Sequence, residues 1–295
     1  MPESTIIMTS YNYDQYIDAA IDSVISQTHK DWELIIVDDG SQDNSLNIIN
    51  EYVEKHPGKI KLFTHPGNAN KGIKASYELG FSKSTGEFAA FFESDDLWEP
   101  ECLEKKTSAL KEFTDASLAF SGLRLLPEKN VKIKRHDNYL KYSRYVGKKC
   151  LNGPADLSKM ILFRNPVISF SNIVIRSEIL DDLSLIKEHE IWSDWQMVVH
   201  AAHKGNFIYI DEDLLYWRLH DKSENFEYMN VDFERKSHDF KKKLSGKYSY
   251  AQNGNNIPEY PFSFKILIYK FFHDLGYAIK HPTAAWLEIK RKLGK

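Results

Sequence analysis

This 295-residue sequence predicts an α/β fold on a mostly parallel sheet flanked by helices, and three observations carry that prediction. Short apolar runs alternate with segments whose apolar residues recur at helical spacing, the pattern of βαβ units with right-handed crossovers. The runs are nearly unbroken, as in strands covered on both faces. Three of them end in polar or acidic residues, at Thr9-Ser10-Tyr11, Asp38-Asp39 and Asp95-Asp96. Ligands of such sheets bind outside the carboxyl ends of the strands, so these three ends are expected to meet at one crevice.

The elements follow in order. Ser4 to Ser10 reads as a buried strand, and Ile17, Ala20, Ile21, Val24 and Ile25 then mark a helix that Asp14 can cap. Trp32 to Val37 is a second strand, running into Asp38-Asp39-Gly40-Ser41, and Leu46, Ile49, Tyr52 and Val53 share one face of the next helix. Ile60 to Phe63 is a third strand, Pro66 to Gly72 a glycine-punctuated loop, and Ile73 to Phe81 a short helix. The Phe-rich run from Phe88 ends in Glu93, Asp95 and Asp96, three carboxylates within four residues. Acids crowded at a buried strand end repel one another unless a cation or hydrogen-bond donors share the site. Hard oxygen ligands of this kind suit Mg²⁺ or Mn²⁺. The plainer reading is a turn that caps a helix starting near Glu99-Pro100.

Further along, Leu118 to Leu125 and Ser171 to Ile175 read as strands, and a basic excursion from Glu128 to Lys149 lies between them. A helix begins at Trp192-Ser193-Asp194-Trp195, with Val198, Val199 and Ala202 facing inward. Asn206 to Ile210 and Leu214 to Leu219 are two more strand-like pieces. Beyond Asp221 the pattern changes: Lys247 to Tyr260 is linker-like, and Phe262 to Lys295 is aromatic and basic. The expected organisation is a catalytic domain over 1–225 and a mainly helical extension over 226–295. That extension serves packing, homo-oligomerisation or docking on an anionic membrane surface.

Composition narrows the function. A formal net charge of −3 argues against general nucleic-acid binding. Two cysteines form no disulfide framework and no metal-binding pair, which predicts a reducing cytoplasm, and no stretch approaches the ~20 apolar residues of a membrane span. The start of the chain lacks the pattern of a signal peptide. No glycine-rich dinucleotide fingerprint or P-loop opens any helix.

Five motifs in order resemble the family 2 glycosyltransferases of the GT-A (Rossmann-like) fold: Ile7-Met8-Thr9-Ser10-Tyr11-Asn12, Val37-Asp38-Asp39-Gly40-Ser41, Glu93-Ser94-Asp95-Asp96, Trp192-Ser193-Asp194-Trp195 and Tyr216-Trp217-Arg218-Leu219-His220. The last matches the family's Tyr-Arg-x-His segment with one residue replaced. The likeness runs from Thr5 to Asn225. It implies an inverting, metal-dependent transferase of the hexosyltransferase class, which moves sugar from a nucleotide-diphosphate donor, UDP in first place, to a hydroxyl of a glycan or lipid-linked acceptor. Such an enzyme of surface-polysaccharide synthesis would work in the cytoplasm or at the inner face of the membrane.

The same resemblance implies roles. Thr9, Tyr11 and Asn12 would meet the nucleotide, with Tyr11 against base or ribose. Asp39 would hydrogen-bond the uracil or ribose with Asp38 beside it, and Lys71 and Lys74 would approach the phosphates. Asp95 would stand beside Asp96, the direct ligand of a divalent Mn²⁺ or Mg²⁺, with His220 as a further metal or diphosphate contact. Asp194 matches the catalytic base, and Trp192 and Trp195 would wall it and stack on the acceptor sugar.

Read one at a time, these residues keep plainer alternatives. Asp38-Asp39-Gly40-Ser41 suits a tight turn, Asp194 a helix cap, His220 a structural hydrogen bond, and Tyr11 and the tryptophans a core. Two rival functions use a similar sheet. A sugar-phosphate nucleotidyltransferase would carry a glycine-rich, basic loop after the first strand, which Thr9 to Tyr13 lacks. A non-catalytic carbohydrate-binding module would have no need of Asp39, Asp96 and Asp194 together.

Overall fold

The computed structural model describes residues 1–129, 134–161, 165–181 and 193–220. The expected boundary at 225/226, the linker-like stretch, the segment from Phe262 and Trp192 lie outside the described residues.

The first half is built as the apolar runs predict. Strands β1 (Ser4–Ser10), β2 (Trp32–Asp38), β3 (Ile60–Thr64) and β4 (Phe88–Glu93) alternate with helices α1 (Asp14–Ile25), α2 (Ser45–Lys55) and α3 (Ile73–Lys83). All four strands run parallel, and every residue of β1 and β2 is buried. The register sets Thr9 level with Val37 on one side and Glu93 on the other, so the three polar strand ends emerge along one edge. Helix α3 lies tight on this sheet at Gly80, where a Cβ would come within 2.4 Å of Ile7 Cγ2. Only glycine allows that approach.

The second half is mixed rather than parallel. It comprises β5 (Leu97–Trp98), α4 (Cys102–Glu112), β6 (Ala116–Pro127), α5 (Lys134–Gly147), α6 (Ser158–Ile161), β7 (Val174–Arg176), α7 (Ser193–Lys204) and β8 (Asn206–Leu219). Eight strands join in the order β3-β2-β1-β4-β7-β6-β8-β5. Strand β7 is antiparallel to both β4 and β6, β8 runs parallel to β6, and β5 pairs antiparallel with β8. Strands β3, β2, β1, β4, β6 and β8 therefore all point one way and only β7 and β5 run against them among the described strands, so the mostly parallel sheet expected of the sequence holds.

Two elements differ from expectation. The two strand-like pieces near the end are one strand, β8, whose register against β6 shifts around Gly122 and Asp213 where exposed Asp211 and Glu212 bulge outward. The run Ser171 to Ile175 begins as a 3-10 turn, Phe170–Asn172, and only then extends as β7. The basic excursion contains α5, with Lys141, Arg144, Lys148 and Lys149 exposed. Helix α7 buries Trp195, Val198 and Val199, whereas Ala202 is half-buried. Among the described residues no helix is long and apolar enough to cross a membrane.

Candidate active site

The crevice is built from the loops that follow β1, β2 and β4. After β1, Thr9 is 8% exposed and Tyr11 is 45% exposed, so an aromatic ring stands open at the strand end. After β2 the chain makes a tight turn around Asp38. Its Oδ1 accepts from the amides of Gly40 (3.1 Å) and Ser41 (2.9 Å), and its Oδ2 accepts from the Ser41 hydroxyl at 2.5 Å. Asp38 is wholly buried. The turn takes up this carboxylate in three hydrogen bonds. Asn12 braces the same turn, accepting from the Gln42 amide at 2.7 Å and donating its own amide to Ser41 Oγ at 2.9 Å.

Gly40 has φ 81°, and a Cβ there would lie 2.7 Å from the Asn68 carbonyl oxygen. The loop before α3 is thereby laid against the β2 turn. Asp39 then fastens it: Oδ1 accepts from the Lys71 amide at 2.7 Å and Oδ2 from the Gly72 amide at 2.8 Å, with His65 Nε2 3.5 Å from Oδ1. The Lys71 side chain is exposed and Lys74 half-buried at the start of α3. Asp39 thus organises the loop that borders the crevice, and its remaining lone pairs are free to accept from a ligand.

The acidic end of β4 is the chemical centre. Glu93, Asp95 and Asp96 each bring a carboxylate oxygen within 4.8 Å of the others. Asp96 is fully buried, with Oδ1 accepting from the Arg218 amide at 2.9 Å and Oδ2 from Ser169 Oγ at 3.0 Å. Burial, and then the charge of Asp95, push its carboxyl up to about 8, against the pull of its hydrogen bonds. Ser169 Oγ also reaches Glu93 Oε2 at 3.2 Å. Three hard carboxylates that converge where burial and mutual repulsion oppose ionisation fit a divalent cation.

The end of β8 closes this centre from the opposite side. Arg218 Nε donates to the Asp95 carbonyl at 2.7 Å, and His220 Nε2 lies 3.0 Å from Asp95 Oδ2. His220 is buried, and its Nδ1 has no hydrogen-bond partner among the described residues. Its ring stacks on Tyr16 (centroids 5.0 Å apart) and meets Tyr13 edge-on (5.4 Å). Tyr16 donates to Glu128 Oε1 at 2.6 Å, and burial followed by that bond raises its phenol above the ordinary range. The structure therefore sets His220 against Asp95 as a directly hydrogen-bonded neighbour of the acidic group. Ser169, Tyr13, Tyr16 and Glu128 are absent from the motif reading, because no spacing in the sequence ties a loop serine, tyrosines at the start of α1 and an acid after β6 to this centre.

Asp194 is the second residue of α7. Trp195 is 4% exposed and donates its indole N–H to the Ile161 carbonyl at 2.8 Å. The ring is enclosed, where an acceptor contact was expected of it. Its helical position, three and four residues before Val198 and Val199, puts it in the core.

The sheet with its flanking helices and an acidic group at its carboxyl edge is similar to the GT-A fold of glycosyltransferases. Residues 5–183 match the family model described as "Glycosyl transferase family 2", and the chain belongs to that family. It is 30% identical over 238 residues to an uncharacterized glycosyltransferase of Nostoc sp. (strain PCC 7120), covering 79% of this chain and 70% of the relative. Among solved structures it resembles S. aureus TarS 1-349 in complex with UDP, with a TM-score of 0.57, 19% identity, and coverage of 77% of this chain and 62% of that one. It also resembles the mannosyltransferase PcManGT from Pyrobaculum calidifontis in complex with GDP-Man and Mn²⁺, with a TM-score of 0.56, 17% identity, and coverage of 75% and 58%.

Proposed function

We propose that this chain is an inverting glycosyltransferase that moves a sugar from a UDP-sugar to a hydroxyl of a glycan or lipid-linked acceptor in polysaccharide synthesis. The observation that carries the reading is the Glu93–Asp95–Asp96 group at the same sheet edge as Asp39 and its amide-bound loop. The TarS likeness, solved with UDP, supports the choice of nucleotide, and the PcManGT likeness, solved with Mn²⁺, supports a metal.

Tyr11 takes the base on its open ring face. Asp39 accepts from the base or ribose while holding the loop that carries Lys71, and Lys71 and Lys74 face the phosphates. Asp96, with Asp95 and Glu93, holds a divalent cation, Mn²⁺ or Mg²⁺, which neutralises charge on the leaving diphosphate. Arg218 and His220 keep Asp95 in place. Asp194 accepts the proton of the acceptor hydroxyl as that oxygen bonds to the anomeric carbon and the bond to the diphosphate oxygen breaks. A single displacement of this kind inverts the anomeric centre. Trp192 borders the acceptor. Residues 1–225 form the catalytic unit, and the C-terminal extension, aromatic and basic from Phe262, serves packing, homo-oligomerisation or docking on the inner face of an anionic membrane.

Release of free nucleotide from UDP-, GDP- and dTDP-sugars, measured with EDTA and with added Mn²⁺, tests the reading. UDP release that EDTA stops and Mn²⁺ restores is expected. Equal turnover in EDTA refutes the cation's role, and preference for another nucleotide refutes the donor.

A further inference from the structure

Three non-glycine residues of the described chain have positive φ: Asn12, Asn68 and Ser169. Asparagine is a residue type that visits the left-handed basin readily. Ser169 is different. At φ 61° and ψ 138° it lies outside even that basin, where a side chain is strained and glycine is the natural occupant.

Such a conformation persists only if its surroundings over-determine it, and here they do. Trp98 Nε1 donates to the Ser171 carbonyl at 2.8 Å. The fully buried Lys106 donates to Asn172 through the carbonyl (3.1 Å) and Oδ1 (3.0 Å), and Ser121 Oγ also donates to that Oδ1 at 2.9 Å. The Glu93 amide donates to Ser171 Oγ at 2.9 Å, locking the turn to the acidic strand end. A core lysine, a tryptophan and a buried asparagine thus hold a turn whose first residue is strained.

What the strain retains is one hydroxyl. Ser169 Oγ lies 3.0 Å from Asp96 Oδ2 and 3.2 Å from Glu93 Oε2, and it accepts from the Ser171 amide at 3.1 Å. A glycine would adopt these angles without strain but would leave the two carboxylates unbridged. We propose that Ser169 is a positioning residue for the acidic group, its hydroxyl spanning Glu93 and Asp96 and setting the separation at which they meet a divalent cation. This rests on the reading of that group as the cation site.

A rival role is purely local: the hydroxyl caps its own turn through the Ser171 amide, and nothing beyond the turn depends on it. Ser169→Gly and Ser169→Ala separate the two. Both remove the hydroxyl, but glycine also relieves the backbone, so in EDTA the glycine variant is expected to melt above the alanine variant. Mn²⁺ binding to the nucleotide-free protein, read by electron paramagnetic resonance, is expected to weaken about 10- to 100-fold in both, whichever melts higher. Wild-type Mn²⁺ affinity in Ser169→Gly would overturn the proposal and leave the turn-capping role. Asp96→Ala serves as the reference. If it abolishes Mn²⁺ binding while Ser169→Gly retains it, only the positioning role falls. If Asp96→Ala binds Mn²⁺ as the wild type does, the cation reading falls and the proposal with it.

Discussion

Replacing Asp96 with asparagine is expected to stabilise the metal-free protein while removing its response to metal. Asparagine matches the carboxylate in shape. Its Oδ1 can keep the Arg218 amide bond, and its Nδ2 can donate to Ser169 Oγ, which then donates to Glu93. What disappears is the option of negative charge in a fully buried place. The sign follows from the raised pKa. Below the unfolded value of 3.8 both side chains are neutral and the two proteins match. As pH climbs towards about 8, the unfolded chain has released a proton that the folded chain still holds, so the wild type loses stability steadily against the variant.

The span from 3.8 to about 8 sets the size. At about 1.4 kcal/mol per pKa unit, the ceiling is roughly 6 kcal/mol above pH 8. Water entry and small shifts around the charge recover part of that, and if only a third survives, about 2 kcal/mol remains. For a domain of this size such a difference moves Tm by roughly 4–8 °C. The assay is thermal unfolding in EDTA at pH 4.5 and pH 8.5. The variant should melt close to the wild type at the acid end and several degrees above it at the alkaline end. Added Mn²⁺ should raise only the wild-type Tm at pH 8.5. Coincident melting in EDTA at pH 8.5, or a gap that is wider at pH 4.5, would refute the argument.

Other substitutions separate the remaining roles. Asp194→Asn removes the proton acceptor and should cut kcat by about 10²–10⁴ with donor affinity intact; lost donor affinity with unchanged kcat would make Asp194 a binding or capping residue. Asp39→Ala leaves the Lys71 and Gly72 amides without their acceptor, so UDP affinity measured by calorimetry should fall by about tenfold or more while Mn²⁺ binding persists. Unchanged UDP affinity would confine Asp39 to the fold. Deleting 262–295 should lower binding to anionic liposomes and spare nucleotide binding; equal liposome binding would leave packing or oligomerisation as the segment's role.

The first half of the fold was legible because its strands centre on short apolar runs and helices α1 and α2 each keep a clear apolar face. The second half was less so, for identifiable reasons. Leu97–Trp98 is too short to carry a period, yet it forms the sheet's last strand. Asp211 and Glu212 look like a break, but a bulge lets one strand carry them outward. Adjacent acids mislead in a similar way. Asp38 continues β2 level with Ser10 and is absorbed by its turn, whereas Asp39, one residue on, holds the loop. For Trp195 the helical period with Val198 and Val199 already pointed to the core, and only the neighbouring Asp194 suggested a sugar platform. Ser169 left no trace in the sequence, since a strained dihedral is a tertiary property that residue type does not encode.

The two halves also divide the chemistry. Tyr11, Asp39 and the acidic group stand at the ends of parallel strands whose pairing is fixed within the first 93 residues. The groups that set the state of that acidic group come from much later in the chain. Ser169 is 73 residues from Asp96, Arg218 is 122 residues from it, and His220 is 125 residues from Asp95. The carboxylates are therefore supplied by one half and spaced, bridged and oriented by the other. A substitution at Ser169, Arg218 or His220 should then alter the cation binding proposed for the acidic group while leaving the exposed ring of Tyr11 and the nucleotide affinity proposed for it untouched. A substitution at Asp39 should do the reverse. The metal and nucleotide roles proposed for this crevice can thus be tested separately, because they rest on hydrogen bonds made by different stretches of the chain.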